Sequence, residues 1–272
     1  MLLFADDAKV FVKINTDEDI QALTRDMKRL EEWSQRWLLK FNAEKCVTMH
    51  LGSRNPRADY ELDGVTLRKS SLEKDLGVLV SEDLKATQQV KAAAAKGNKM
   101  VGLIRRNFTC LNADMCRILY CTLVRPHIEY AIQSWSPYLR KDIEELEKVQ
   151  RRMTRLVPEL SNLTYEERCK KLGIYPLEKR RLRGDLIETY KIIHGLENLD
   201  QSIFFSMREG ITRTSNFKLE KRGHWRTNLR ANVFSIRVVN HWNGLPEDIV
   251  SAPSVSVFKK RLDKYWEIEE VE

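Results

Sequence analysis

Residues 2–14, "LLFADDAKVFVKI", carry the clearest fold signal near the start of the chain. A short apolar run is followed by two adjacent acids, Asp6 and Asp7, and then by residues that alternate between apolar and polar. Alternation with a period of two is typical of a β-strand, and polar residues between two such runs indicate a tight turn. The stretch therefore predicts a β-hairpin whose turn carries two carboxylates.

The residues after this hairpin predict one helix and more strands. Over residues 17–40, apolar side chains recur at intervals of three and four, which predicts an amphipathic helix with Thr16 as its N-cap. Asp63 and Gly64 separate two alternating runs, which predicts a hairpin with a type I′ turn. Three segments are predicted to contain strands: "CVTMHLG" (46–52), "YELDGVTLR" (60–68) and "DLGVLV" (75–80). We therefore expect a mostly antiparallel sheet with a helix on one face, which is an α+β layer.

The rest of the chain has a helical pattern. Apolar spacing, caps and helix-ending residues predict seven helical segments: 83–108, 112–133 with a break or kink at Pro126, 139–157, 164–173, 176–195, 233–243 and 254–266. Residues 200–232 lack clear periodicity and are predicted to be a loop or linker.

Amino-acid composition and net charge indicate which partners and which cellular compartment to expect. The chain of 272 residues has a net charge of +8, which favours a polyanionic partner, nucleic acid first and an acidic membrane second; a basic surface without a partner stays open. Its five cysteines form no CxxC pair, so we expect free, mostly buried thiols and an intracellular protein, nuclear or cytoplasmic. No run of about 18 apolar residues occurs, so no membrane span is expected.

The adjacent carboxylates Asp6 and Asp7 are candidate ligands for a metal. Mg²⁺ prefers oxygen ligands and commonly shares them with phosphate groups, and two-metal nucleotidyl transfer uses such carboxylates. Asp is also common in ordinary turns, because its side chain hydrogen-bonds the nearby backbone. The dipeptide alone leaves both interpretations open.

Three basic segments are candidates for binding nucleic acid: "QRRMTRL" (150–156), "EKRRLRGD" (178–185) and "KLEKRGHWRTNLRANVFSIR" (218–237). Basic side chains next to aromatic ones suit a phosphate backbone and stacked bases, although a solvated helix face has the same composition. The candidate residues are Arg151, Arg152, Lys221, Arg222, Trp225 and Arg226. The triplet Arg183–Asp185 spells RGD, but helical periodicity there argues against an exposed adhesion loop.

Several of these segments, in this order, resemble parts of the reverse transcriptases of non-LTR (LINE-type, jockey-like) retrotransposons. "LLFADDAKVF" (2–11) resembles their [FY]-A-D-D hairpin, and "LEEWSQRWLLKFNAEKCVTMHLG" (30–52) resembles the palm helix and strand that follow it. "LVRPHIEYAIQSWSPYLRKDIEELEKVQRRMTRLV" (123–157) is similar to the thumb region. "LRGDLIETYKIIHG" (182–195) and the segment 245–266 are similar to the C-terminal tail.

The resemblance covers nearly the whole chain and implies an organisation into three parts. Residues 1–80 would be a partial palm, residues 81–160 a helical thumb-like region, and residues 161–272 a helical and loop-containing tail. The implied reaction is the addition of deoxynucleotides to a DNA primer along an RNA template.

The resemblance also implies roles for individual residues. Asp6 and Asp7 correspond to Mg²⁺-binding carboxylates, and Lys45 corresponds to a lysine near the triphosphate leaving group. Leu76 and Gly77 in "DLGVLV" correspond to the primer-grip strand, where a glycine permits close approach of a nucleic-acid strand.

The sequence departs from the family pattern before the hairpin. Family polymerases have fingers and an earlier palm strand with another metal-binding Asp ahead of [FY]-A-D-D, whereas this sequence begins close to the motif. We therefore expect weak or lost Mg²⁺ binding and no template-directed synthesis by this chain alone. Two alternatives remain: a non-enzymatic basic module that binds nucleic acid, and an expressed fragment without a selected function, for which an uncovered sheet would predict poor solubility.

Overall fold

A computed structural model describes residues 1–52, 54–208, 217–221, 223 and 227–269, with side chains described as far as residue 267. The chain divides into two compact units, Met1–Leu84 and Lys85–Glu272, called the first and the second unit below. The first unit contains short strands and one long helix, and the second is helical apart from an isolated bridge between Met207 and Leu219. The predicted α+β class is confirmed.

The strands of the first unit are short and pair two by two. β1 (Leu2–Phe4) pairs with β2 (Asp7–Lys9) in antiparallel register, which confirms the predicted hairpin. The second strand ends at Lys9, so the predicted continuation to residue 14 is wrong. The other strands are β3 (Val47–Thr48), β4 (Glu61–Leu62), β5 (Val65–Thr66), β6 (Arg68–Lys69), β7 (Leu72–Asp75) and β8 (Val78–Ser81).

These strands form small ladders instead of the single sheet that was expected. β4 pairs with β5 and β7 with β8 in antiparallel hairpins, while β3 pairs with β6 in parallel. Asp63 and Leu76, each followed by a glycine, have φ angles of 51° and 44° and reverse the chain after only a few strand residues. Strands of two to four residues offer few backbone hydrogen-bonding groups to a further strand, so the ladders do not join into a wider sheet.

Helix α1 (Asp17–Trp37) begins with the predicted cap. The Thr16 hydroxyl accepts a hydrogen bond from the Asp19 amide at 3.4 Å, and the Asp19 carboxylate accepts one from the Thr16 amide at 3.0 Å. Its apolar stripe packs on the small core of the first unit, formed by Tyr60, Leu62 and Leu67. The C-terminal end of the stripe is exposed, since Trp33 and Trp37 are 47% and 63% exposed.

The second unit is built from helices. They are α2 (Thr87–Asn107), α3 (Ala113–Leu119), α4 (Arg125–Glu129), α5 (Ile132–Trp135), α6 (Arg140–Thr154), α7 (Tyr165–Leu172), α8 (Leu177–Ile193), α9 (Gln201–Phe204), α10 (Asn228–Ala231), α11 (Phe234–Arg237), α12 (Val239–Gly244), α13 (Glu247–Val250) and α14 (Val255–Glu269). A capping box of Thr164 and Glu167 and the left-handed Gly173 delimit α7, in agreement with the helix predicted over residues 164–173. The region 200–232, predicted to be a loop, holds the short helices α9 and α10 in its described parts.

The predicted break or kink at Pro126 coincides with a change of helix type, and the backbone stays helical through the proline. A single π-helical turn, Tyr120–Val124, joins α3 to α4, and the Arg125 amide donates to the Tyr120 carbonyl. Pro126 is the second residue of α4 and has no N–H to donate to the turn before it. The wider π-helical turn before Pro126 accommodates the proline, so the backbone remains helical into α4.

The C-terminal helices share one apolar core. Tyr190 of α8 stacks on Phe258 of α14 with 4.5 Å between ring centroids, and Trp242 of α12 lies 6.0 Å from the same ring. Trp242 and Phe258 are completely buried. None of the described helices combines the length and the apolar composition that crossing a membrane requires.

The cysteines are less uniformly buried than the sequence predicted. All five are free, but Cys116 and Cys169 alone are buried, and Cys110 is exposed. Burial raises the pKa of the Cys116 thiol to about 11, so this thiol stays protonated and unreactive at neutral pH.

Candidate nucleic-acid interface

The β1–β2 hairpin places Asp6 in its turn, as predicted, but Asp7, which was also predicted to lie in the turn, belongs to the second strand. Asp6 lies in the two-residue turn with Ala5, whose φ is 51°, and Asp7 is the first residue of β2, opposite Phe4. Both aspartates are exposed. Mg²⁺ is commonly held by one or two protein carboxylates, and water and phosphate oxygens complete its ligand shell. Asp6 and Asp7 could therefore supply the carboxylate ligands of such a site. In the part of the chain that the structure describes, no cluster of three or more His, Cys, Asp or Glu side chains could hold a metal.

A second hairpin lies next to the first one. Lys9 of β2 forms an ion pair with Asp75, the last residue of β7. Asp75 is followed directly by Leu76 and Gly77, so the structure brings the two aspartates and the proposed primer-grip residues into the same part of the first unit.

Leu76 and Gly77 form a turn, and the prediction that they belong to a strand is wrong. β7 ends at Asp75, β8 begins at Val78, and these two residues pair across the turn. The φ angles of 44° for Leu76 and 87° for Gly77 are left-handed, which closes a tight hairpin and interrupts strand geometry. A strand running from residue 75 to residue 80 is therefore replaced by the end of one strand and the beginning of the next.

Lys45 lies in a turn that precedes β3. Its amide donates to the Asn42 carbonyl at 3.0 Å, and its side chain is exposed. Among the described contacts, none joins the Lys45 ammonium to Asp6 or Asp7. Its sequence-based role beside a leaving group stays a prediction.

Positive charge is concentrated in the second unit. Residues 85–272 carry 34 Lys or Arg against 23 Asp or Glu, whereas residues 1–84 carry 13 against 16. The imbalance is strongest around α2, because no Asp or Glu occurs between residues 84 and 113, while six Lys or Arg do. All five basic side chains of α2 are exposed. A helix of this composition presents a surface for an anionic partner.

Helices α2 and α6 run side by side in the same direction. The Thr87 hydroxyl donates to Asp142 at 2.7 Å near their N-terminal ends, and Arg152 donates to Asn98 at 2.7 Å further along both helices. Close packing is possible because Gly97 lacks a side chain: a Cβ there would lie 3.0 Å from Val149. Parallel packing brings the basic C-terminal turns of both helices to the same end.

A groove opens between these two helices near their C-terminal ends. Its cavity volume is about 440 Å³, and we call it the α2–α6 groove. It is lined by Asn98, Val101, Gly102, Arg105, Arg152, Arg155 and Leu156. Arg105 and Arg155 are exposed and have no ion-pair partner among the described residues, and Arg152 bonds to the neutral amide of Asn98. Three guanidinium groups thus face one opening, and none of its described lining residues is a carboxylate.

Arg151 and Arg152 have different surroundings although they are adjacent. The guanidinium of Arg151 lies over the ring of Tyr165, 4.8 Å from its centroid, whereas Arg152 lines the α2–α6 groove. The structure therefore brings Arg152 to the candidate interface and holds Arg151 in a cation–π contact.

The arginines of the basic segment 178–185 are paired or buried within the fold. The interpretation of this segment as a nucleic-acid-binding surface is therefore wrong. Arg180 pairs with Glu129 at 2.6 Å, Arg183 forms two bonds to Asp263 at 2.7 and 2.8 Å, and Arg181 is buried. Asp185 is buried against Arg237. An adhesion role for the triplet Arg183–Asp185 is excluded because the triplet lies within α8 and its two charged side chains are paired.

Lys221 lies away from the groove-lining residues. Its exposed side chain lines a separate open hollow that also includes Asp200, Arg208 and Glu220, so charges of both signs surround it. Arg222, Trp225 and Arg226 lie outside the described residues.

The candidate residues named from the sequence did not include Asn98, Gly102 or Arg105, and Arg155 was covered only as part of the basic segment 150–156. One signal was present, namely the stretch of basic residues around α2 without a single acid. The pairing of α2 with α6, which are separated by more than 30 residues, carries no local signal. The groove follows from that pairing.

Part of the chain is similar to a known protein. It is 27% identical over 163 residues, 57% of this chain, to a probable RNA-directed DNA polymerase from transposon BS of Drosophila melanogaster. The chain spans 18% of the length of that relative. No family model matches the chain, and no solved structure matches it. The resemblance to transposon reverse transcriptases that the motifs predicted is confirmed by this similarity.

Proposed function

We propose that this chain is part of the reverse transcriptase of a non-LTR (LINE-type) retrotransposon and that it binds the primer–template nucleic acid. The observation that carries the proposal is its similarity to a transposon RNA-directed DNA polymerase. In this proposal the first unit contains part of the palm, and the second unit contains the thumb-like region and the tail.

The α2–α6 groove is the surface that supports nucleic-acid binding best. Arg105, Arg152 and Arg155 line it, and no carboxylate among the lining residues competes for them. Arginine donates in a planar fork that matches phosphate oxygens, so each of these side chains can hold a backbone phosphate. Contacts of this type carry no base information, and binding should depend little on sequence.

Asp6 and Asp7 are the proposed contribution of this chain to a Mg²⁺ site. Both are exposed at the tip of a hairpin, where Mg²⁺ can be shared with substrate phosphates. When bound, Mg²⁺ would stabilise the charge that develops on the reacting phosphate oxygens. Lys45 is proposed to neutralise the leaving pyrophosphate.

We propose that the chain alone does not extend a primer. Asp6 and Asp7 supply only part of the ligand shell that Mg²⁺ requires, and the described residues add no third acid to them. A primer-extension assay with an RNA template, a DNA primer, Mg²⁺ and deoxynucleotides tests this, with a known reverse transcriptase as the positive control. We expect no extended product. Extension by the wild-type chain that is lost in Asp6→Ala would contradict the proposal and show an active site at this hairpin.

A second candidate function is a non-enzymatic module that binds nucleic acid, and the excess of basic residues in the second unit favours it. Both candidates predict an affinity that falls steeply with salt, because binding releases counterions from the phosphate backbone. They differ in the preferred ligand. A polymerase relative should prefer an RNA–DNA hybrid with a recessed 3′ end over a single strand of equal charge, whereas a general basic module should bind both alike.

A further inference from the structure

The presence of a glycine at position 102, inside helix α2 and in the α2–α6 groove, does not contribute to the stability of the helix. Glycine in a helix interior is less favourable than alanine. Gly97 of the same helix has a packing reason, because a Cβ there would lie 2.8 Å from Ile128 and 3.0 Å from Val149. At Gly102 an added Cβ would have no heavy atom within 4 Å. The missing side chain therefore leaves open space inside the groove.

The charged side chains around this space are arranged for an anion. The Arg152 guanidinium donates to Asn98 Oδ1 at 2.7 Å, and an amide acceptor fixes its position without neutralising its charge. Arg105 and Arg155 line the same opening without an ion-pair partner among the described residues. Like charges in one groove repel each other, so an anionic ligand placed between them relieves that repulsion.

The remaining lining residues indicate what kind of anion fits. Val101, Gly102 and Leu156 make the uncharged part of the groove apolar, and its lining contains no aromatic side chain in the part of the chain that the structure describes. Stacking of bases needs aromatic surfaces, so bases have no platform here. An apolar surface beside three guanidinium groups is complementary to a sugar ring joined to a phosphate.

We propose that the α2–α6 groove is a subsite for the sugar–phosphate backbone of one nucleic-acid strand. A phosphate lies among Arg105, Arg152 and Arg155, and the adjoining sugar lies in the space that Gly102 leaves open. The inference rests on the proposed function, since it takes nucleic acid as the ligand. It adds that this subsite recognises the backbone, that Gly102 provides the space, and that Asn98 positions Arg152.

The test compares two ligands and two matched variants of the whole chain by fluorescence anisotropy at fixed salt. The ligands are a labelled single-stranded oligonucleotide and an abasic oligomer of the same length, which has sugars and phosphates but no bases. Gly102→Leu fills the groove without changing charge, and Ala95→Leu adds the same side chain at an exposed position of α2 outside the groove. We expect wild-type affinities within about 3-fold for the two ligands, because backbone contacts do not read bases. Gly102→Leu should weaken both about 10-fold, and Ala95→Leu should weaken neither.

A second pair of variants tests the charge. Arg155→Gln removes one cation from the groove, and Lys91→Gln removes one from α2 outside it. For the abasic oligomer, loss of one phosphate contact should reduce the slope of log affinity against log salt by about 0.7 for Arg155→Gln. Lys91→Gln should change it less. A competition experiment with inorganic tripolyphosphate tests whether the groove is a simple anion site. If tripolyphosphate displaces the labelled oligonucleotide as effectively as the abasic oligomer does at equal charge, the sugar has no role in binding.

The outcomes separate this inference from the proposed function. If Gly102→Leu binds both ligands as the wild type does while the wild type binds tightly, the subsite is wrong and the function proposal stands. If the wild type binds no nucleic acid at physiological salt, the function proposal itself fails. Leucine is a better helix former than glycine, so Gly102→Leu should melt no lower than the wild type, and a thermal melt excludes unfolding as the cause of weak binding.

Discussion

Arg237 and Asp185 show how a charged pair that looks available in the sequence is committed to the fold. The Arg237 guanidinium donates to both Asp185 carboxylate oxygens at 2.8 and 2.9 Å and to two backbone carbonyls, those of Asn232 and Gln133. Asp185 is only 4% exposed. Burial raises the pKa of the Asp185 carboxyl above its ordinary value, although the bonds from Arg237 oppose that shift.

Replacing Arg237 by leucine should therefore destabilise the protein strongly. Asp185 would remain buried without its partner, and breaking a buried pair in this way typically costs about 3–5 kcal/mol in the free energy of unfolding. The loss of the cation should raise the pKa of Asp185 further in the folded state. A raised pKa in an acid means that the folded state binds more protons, so the variant gains stability relative to the wild type as the pH falls.

Urea unfolding of Arg237→Leu and the wild type at pH 7 and pH 5 measures this effect. The difference between the two proteins should be smaller at pH 5 than at pH 7. The double variant Arg237→Leu with Asp185→Leu, which removes both charges, is the control and should recover part of the lost stability at pH 7. A deficit that does not change with pH and does not recover in the double variant would contradict the assignment.

At the scale of single elements, the sequence predicted features that depend on neighbours in the chain. The N-cap at Thr16, the start of a helix at Thr164 and the turn at Asp63 were predicted correctly because each depends on residues within four positions. The hairpin at Leu76 was missed because a left-handed leucine has no local signal in its residue type. The parallel pairing of β3 with β6 joins residues about 20 positions apart, so turn chemistry could not reveal it.

Gly97 and Gly102 of α2 make opposite predictions for the same substitution. Gly97→Ala would place a Cβ 2.8 Å from Ile128 and 3.0 Å from Val149, and such overpacking typically costs about 1–3 kcal/mol, partly offset by the better helix propensity of alanine. Gly102→Ala meets nothing within 4 Å and should stabilise the helix by about 0.5–1 kcal/mol. Thermal melts of the two variants measure the difference. Equal shifts of both melting temperatures in the same direction would show that α2 and α6 do not pack closely at Gly97.

At the scale of the whole molecule, the sequence favoured a polyanionic partner but did not indicate which surface is free to contact one. Net charge and motifs indicated nucleic acid, but Arg180 and Arg183 of segment 178–185 turned out to be paired with acids of the fold. Arg152 was named from its sequence context, and the structure adds Arg105 from a helix that begins about 50 residues earlier. Which arginines remain unpaired depends on where the acids of the fold lie, and a one-dimensional pattern does not contain that information.

The uneven charge of the two units leads to a prediction about where binding resides. The second unit has an excess of positive charge and contains the α2–α6 groove, while the first unit has a small excess of acids. A fragment of residues 85–272 should therefore retain most of the affinity of the whole chain for an oligonucleotide, and its salt dependence should be as steep. A fragment of residues 1–84 should bind weakly, because its net charge repels the phosphate backbone.

Both fragments can be checked for folding by circular dichroism before their affinities are measured by anisotropy across a salt series. Strong binding by residues 1–84 alone would place the interface near the β1–β2 hairpin and contradict the assignment to the groove. Loss of binding in a folded 85–272 fragment would mean that the first unit supplies contacts that its charge does not suggest. If the 85–272 fragment keeps the affinity of the whole chain and the same slope of log affinity against log salt, the second unit holds the phosphates. Each lost phosphate contact would lower that slope by nearly one for B-DNA.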